Sequence, residues 1–199
     1  MSLVIVEKVR PHISVVRMNR PERLNAMSFG LMTALVDAFA EVAADNTCHV
    51  VILTGEGRGF CSGLDLEDPG AIPGIEHLPI SRIGVVAMTH FSQIVPVMRA
   101  VPQPIIAAIN GCAYGGGLCL SLGADIRIAE ESVVFNSTGI VNGLTSTELG
   151  ASYLLPRLIG ASRSNEILLT GRKVDALEAE RIGLVSRLVA DGDAVTTAI

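Results

Sequence analysis

Two glycine-rich stretches carry the first chemical signal in this chain. Each follows a short apolar run. Residues 49–54 (HVVILT) lead into GEGRGFCSGLDL at 55–66. Residues 104–110 (PIIAAIN) lead into Gly111-Cys112-Ala113-Tyr114-Gly115-Gly116-Gly117. Glycine suits places where backbone must approach a ligand closely or take φ > 0. Two separate strand-to-loop units can each aim one backbone N–H at a single oxygen. The second stands where a helix begins, so the helix dipole reinforces it. Two preorganised N–H donors stabilise negative charge developing on a carbonyl oxygen. Tight turns that let helices pack on strands need the same glycines, and spacing alone leaves both readings open.

Other chemistries find less footing. There is no G-x-x-x-x-G-K-[ST] phosphate loop, and no G-x-G-x-x-G between a strand and a helix with an acidic residue at the right distance. Gly59-Phe60-Cys61-Ser62-Gly63 has the wrong spacing for a G-x-S-x-G nucleophile elbow. His12, His49, His77 and His90 fall in strands, a variable loop or a helix, which leaves a serine hydrolase without a base. Cys48, Cys61, Cys112 and Cys119 form no C-x-x-C and have no histidine at metal-ligand spacing, so reduced, buried thiols and no metal site are expected.

The elements that must position the two loops follow from periodicity. Residues 3–9 and 12–18 read as two β-branched strands around Arg10-Pro11. Ser28 is a fitting N-cap for a helix whose stripe is Phe29, Met32, Val36, Phe39 and Val42, with Asp37 and Glu41 off it. The runs at 49–54 and 104–110 read as buried strands. Pro69, Gly70, Pro73, Gly74 and Pro79 mark a loop, and one helix is expected from about 80 to 99. Further strands are expected at 125–129, 133–135 and 184–189, and helices at 118–123, 149–159, 162–170 and 175–182. The order strand, glycine loop, helix, repeated, suits an α/β layer with its ligand where such loops gather.

The bulk numbers agree. The 199 residues fit one α/β domain. Hydrophobic residues make up 49 % and aromatics only 4 %, so the core must be mainly aliphatic, as in a parallel sheet buried on both faces. A formal charge of -5 argues against general nucleic-acid binding. No apolar stretch runs uninterrupted for the length of a membrane span. MSLVIVEKV has no basic n-region ahead of an apolar stretch, so a cytoplasmic protein is expected.

Five segments in order give a resemblance: NRPERLNAM at 19–27, GRGFCSGLDL at 57–66, PIIAAINGCAYGGGLCLSLGADIRIA at 104–129, LLPRLIG at 154–160 and LTGRKVDALEAERIGLVSRLV at 169–189. Together they resemble the crotonase superfamily of enoyl-CoA hydratases and isomerases, with mycobacterial-type hydratases the nearest in likeness. The resemblance implies a ClpP/crotonase-like spiral of ββα units, with two near-perpendicular sheets and helices around them. It implies a homotrimer or a dimer of trimers acting on acyl-CoA thioesters in fatty acid metabolism through a stabilised enolate, with enoyl-CoA hydratase (lyase) as the leading activity and double-bond isomerase as the alternative. It implies no cofactor beyond the coenzyme A carried by the substrate. Two backbone N–H groups, of Leu64 and Gly116, would form the oxyanion hole. Coenzyme A would lie along Arg23, Leu24 and Ala26, with Ser62, Gly63, Asp65, Leu66 and Gly115. Asp65 can brace its loop or touch ligand. Arg23 can pair a phosphate or stay solvated.

The resemblance also marks departures. Hydration in the family uses two glutamates. Their positions are taken here by Cys119 and Gly139. Glu148 remains, at a place where some double-bond isomerases of the family carry an acidic residue, and a single base can move a proton between two carbons of a held dienolate. Glu148 can equally favour a helix N-terminus electrostatically. A non-catalytic acyl-CoA-binding subunit is a further reading. The resemblance leads to one core domain over 1–199, with the usual C-terminal helical lid and trimerisation region largely missing after DGDAVTTAI.

Overall fold

The computed structural model describes residues 2–72, 75, 77–145 and 148–199, with the side chain of Glu148 outside the described set. The chain begins with an antiparallel hairpin, β1 (Val4–Arg10) and β2 (Ile13–Met18), turned at Pro11-His12. Helix α1 (Phe29–Ala44) starts as expected: Ser28 Oγ accepts the Leu31 N–H at 3.2 Å. Met32, Phe39 and Val42 of the anticipated stripe are buried, joined by Leu31, Leu35 and Ala38. The face turned inward is therefore wider than the stripe.

From there a strand pair and a helix recur. β3 (Val50–Gly55) is followed by the short β4 (Gly59–Cys61), then α2 (Ile80–Ser92) and α3 (Ile94–Ala100). β5 (Ile105–Ile109) is followed by β6 (Cys112–Tyr114) and α4 (Gly116–Gly123). β7 (Ile126–Glu130) is followed by β8 (Val134–Asn136), α5 (Ala151–Ile159) and α6 (Ala161–Thr170). The chain closes with β9 (Lys173–Asp175), α7 (Ala176–Arg181), β10 (Arg187–Val189) and α8 (Ala194–Ala198). The long strands build one sheet in the order β1-β2-β3-β5-β7-β10, parallel from β2 onward. The short ones build a second sheet, β4-β6-β8-β9, antiparallel only at β9. Each turn of the spiral thus gives one strand to each sheet.

Strand alternation divides the core. Val16, Val51, Leu53, Ala107, Ile109 and Ala129 face α1, α3 and α4 in the main cluster. Their neighbours Val15, Ile52, Ala108 and Ile128 face the other way, under α8. Full burial of such side chains stabilises by about 1.5–3 kcal/mol each. The single helix expected over 80–99 is two. Pro96 has no N–H to offer the Ser92 carbonyl and its ring would clash there, so α2 ends at Ser92. Strands β4 and β6 lie inside stretches read as loops, and β9 and α8 were not anticipated; each is three to five residues, too short to show a period. Among the described residues no helix is long and apolar enough to cross a membrane.

Candidate active site

The two glycine loops meet. Leu64 forms an isolated parallel bridge with Met27. In that bridge the Met27 N–H donates to the Gly63 carbonyl at 2.7 Å and the Asp65 N–H donates to the Met27 carbonyl at 3.0 Å. Both bonds run from the neighbours of Leu64, so the Leu64 N–H points to the opposite edge, away from Met27. Gly63, at φ 94°, lies against the second loop: a methyl carbon on it would stand 2.8 Å from the Tyr114 carbonyl oxygen and 3.5 Å from the Gly116 nitrogen. Only glycine permits that approach.

On the second loop, the Gly115 N–H donates to the Asn136 carbonyl at 2.8 Å, and Gly115 takes φ 49°. Gly116 then opens α4, where the first N–H groups have no partner within the helix. Neither the Leu64 N–H nor the Gly116 N–H has a hydrogen-bond partner among the described residues. Gly117 cannot carry a side chain, because its Cβ would meet the Cys61 carbonyl oxygen. The buried Cys61 thiol is pushed up to about 12 by desolvation, which makes it inert packing.

A cavity of about 350 Å³ is lined by both Leu64 and Gly116. Leu64, Leu118, Met27, Phe91, Met88 and Leu149 supply apolar wall, and Ser62, Ser137, Thr138, Asn142, Thr145 and Cys119 supply the polar side chains. No Asp, Glu or His stands among the described lining residues. Such a volume and lining suit a small apolar group fixed by a few polar contacts.

Of the residues expected from sequence, Leu64, Gly116, Ser62, Leu66, Gly115, Cys119 and Gly139 line this one cavity. Arg23, Leu24, Ala26, Gly63 and Asp65 do not line it but stand behind it. The Leu24 carbonyl accepts the Ser62 N–H at 3.0 Å, and Ser62 Oγ donates to the Arg23 carbonyl at 3.3 Å. Glu148 lies in a short 3-10 turn, Glu148–Gly150, with Leu149 at φ 56°; its side chain lies outside the described residues. Thr138, Asn142, Met27 and Leu149 were not singled out from sequence, though Met27 ends the NRPERLNAM segment and Thr138 adjoins Gly139.

Asp65 and Arg23, for which the sequence left alternatives open, join in an ion-pair network. Asp65 is 3 % exposed. Its Oδ1 accepts from Arg23 Nη2 at 2.7 Å and from the Asp68 N–H at 2.9 Å; its Oδ2 accepts from Arg20 Nη1 at 3.0 Å and Arg23 Nε at 3.2 Å. The Arg23 guanidinium, above all, holds the Asp65 carboxyl well below the usual carboxylate range against the opposing effect of burial. Arg23 also reaches Glu67 at 2.8 Å. The guanidinium expected to be solvated or to face a phosphate is thus doubly paired, and Asp65 braces the loop that presents Leu64.

The architecture and the paired loops match a known family. A family profile described as "Enoyl-CoA hydratase/isomerase" matches residues 9–199. The chain belongs to the enoyl-CoA hydratase/isomerase family. This family member is 54 % identical over 190 residues to a Mycobacterium bovis protein named probable enoyl-CoA hydratase echA12, covering 96 % of this chain and 67 % of that relative. The crystal structure of a probable enoyl-CoA hydratase/isomerase from Mycobacterium abscessus superposes with a TM-score of 0.92 at 48 % identity, over 99 % of this chain and 73 % of that one. A monofunctional enoyl-CoA isomerase from M. smegmatis superposes with a TM-score of 0.81 at 45 % identity, over 100 % of this chain and 82 % of that one. Similarity to proteins of both names leaves the reaction within the family to be argued from the site.

Proposed function

We propose that this enoyl-CoA hydratase/isomerase-family enzyme acts on enoyl-CoA thioesters in fatty acid metabolism by shifting a double bond through an enolate. One observation carries the reading: Leu64 and Gly116, whose N–H groups have no partner among the described residues, line one largely apolar cavity. The thioester oxygen accepts from both donors. A base removes a proton from the acyl chain, the electron pair passes to that oxygen, and the proton returns at another carbon with the double bond displaced. Cys119 and Gly139 stand where the family's two hydration glutamates would be, so activation of a water by that pair has no support here. Glu148, next to the cavity-lining Leu149, is the base in this reading. The chemistry asks for no cofactor beyond the coenzyme A of the substrate. The family resemblance supports assembly in threes, and four cysteines outside any disulfide suit a reducing cytoplasm.

Glu148→Gln keeps size and polarity but cannot accept a proton. A 3-enoyl-CoA isomerisation assay, run beside crotonyl-CoA hydration, should show isomerisation abolished in the variant with crotonyl-CoA binding intact. Full isomerase activity in the variant, or a wild type that only hydrates, overturns the reading. The replacement of both hydration glutamates, by Cys119 and Gly139, supports a second reading, a non-catalytic acyl-CoA-binding subunit. A wild type that binds crotonyl-CoA and turns over neither substrate supports that one instead.

A further inference from the structure

The polar side chains of the cavity differ in whether their hydrogen bonds are already committed. Ser62 Oγ donates to the Arg23 carbonyl, and Ser137 Oγ donates to the Ile167 carbonyl at 3.0 Å. Thr138 is different. Its backbone is fully engaged: its N–H donates to Asn136 Oδ1 at 2.5 Å, and its carbonyl accepts the Asn142 N–H at 3.2 Å. Its hydroxyl lines the cavity and has no hydrogen-bond partner among the described residues.

The backbone at Thr138 is costly to hold. The residue sits at φ 39°, in the middle of a three-residue turn closed by the Gly139 N–H on the Ser137 carbonyl. Positive φ is uncommon for any side chain and an outlier for a β-branched one, and a three-residue turn of this hand is strained. Glycine or asparagine would take the position at lower cost. Strain of this kind persists where the surroundings fix it and clusters where a side chain must be aimed. Here the hydroxyl is aimed at the second glycine loop. A methyl carbon on Gly115 would stand 2.6 Å from Thr138 Oγ1, and Gly115 immediately precedes the Gly116 N–H.

We infer that Thr138 is a further catalytic residue, whose hydroxyl donates a third hydrogen bond to the enolate oxygen held by Leu64 and Gly116. This rests on the enolate reading above. A neutral hydroxyl donor gains most when its acceptor becomes anionic, so the bond strengthens as charge develops and favours the enolate over the ground-state thioester. Thr138 would therefore act on turnover more than on binding.

The test uses acetoacetyl-CoA, a thioester whose enolate has its own ultraviolet band. Titration of the bound thioester over pH gives its apparent pKa on the enzyme. Thr138→Val keeps the β-branched shape and removes the hydroxyl; Thr138→Ser keeps the hydroxyl. In the Val variant the apparent pKa of the bound thioester should rise by about one to two, a ten- to hundredfold weaker preference for the enolate. Isomerisation kcat should fall by a similar factor with KM little changed, and Ser should restore most of both. Val titrating like the wild type with an unchanged circular dichroism spectrum overturns the inference. Equal losses in Val and Ser also overturn it, since the turn and not the hydroxyl would then be responsible. A wild type that forms no bound enolate at any pH overturns the enolate reading and Thr138 with it, whereas a wild-type enolate indifferent to Thr138→Val overturns Thr138 alone.

Discussion

Asp65 is the point at which stability and site geometry are joined, and Asp65→Asn tests the connection. The substitution removes the charge while keeping the volume. It leaves Arg20, whose side chain is 10 % exposed, facing an amide, and Arg23, 34 % exposed, with Glu67 alone. Removing one partner of a buried pair costs about 3–5 kcal/mol. Arg20 keeps the Ala26 carbonyl at 2.8 Å, and Arg23 keeps water and Glu67, which places the loss near the lower end, about 3 kcal/mol. Against a typical stability of about 5–15 kcal/mol this is a large fraction. For a chain of this length it lowers Tm by roughly 6–12 °C. Urea unfolding should show a lower midpoint at unchanged m. The pH dependence has a definite sign. Because the folded pKa of Asp65 lies below its unfolded value, its contribution is complete above the unfolded pKa of about 3.9 and fades as pH falls toward the folded one. The gap between wild type and variant should therefore narrow below about pH 4. Isomerisation should also slow, because the Leu64 N–H is presented by the same loop. Equal urea midpoints at neutral pH would refute the reasoning, as would a gap that widens in acid.

Two further outcomes are expected. Gly116→Pro deletes one donor at a helix position that proline otherwise tolerates, and should lower kcat about a hundred- to a thousandfold. Because any Cβ at Gly116 meets Met27 Sδ, Gly116→Ala is the control: it adds the contact but keeps the N–H, and circular dichroism checks the fold of both. Comparable losses in the two variants would count against the donor. Static light scattering should give three times the chain mass, or a multiple of it, and a stable monomer at high concentration would contradict assembly in threes.

Local chemistry made some elements legible and hid others. Ser28 and the apolar stripe after it announced α1, because a cap and a helical period are both written within a few residues. The runs 49–54 and 104–110 announced β3 and β5, since a strand buried on both faces is continuously apolar. Strand β4 escaped because its three residues are bounded by glycines that argue for a loop, and its partner β6 is far off in the chain. That Leu64 and Gly116 line one cavity was not legible from spacing, because the long-range pairing of β4 with β6 and the packing of Gly63 on Tyr114 bring the two loops together. The Arg23–Asp65 ion pair was hidden for the same reason: Asp65 stands 42 positions away, and nothing local announces a long-range ion pair.

The distribution of polar groups also bears on which reaction the cavity can support. Adding water to a double bond requires that a water be oriented and deprotonated while a second group supplies a proton to the neighbouring carbon. Two acid–base groups on the cavity wall serve this best. Among the described lining residues, the side chains at the relevant positions are a thiol at Cys119 and a hydrogen at Gly139, with Thr138 and Asn142 offering only a neutral hydroxyl and a neutral amide. None of the last three exchanges a proton near neutral pH. A hydroxyl and an amide can, however, donate hydrogen bonds that orient a thioester. A double-bond shift needs only one exchanging group, since the proton taken from one carbon is the proton returned to another. In the proposed reading, where Leu64, Gly116 and Thr138 hold the charge, the remaining demand is a single carboxylate, which that reading assigns to Glu148 of the turn Glu148–Gly150.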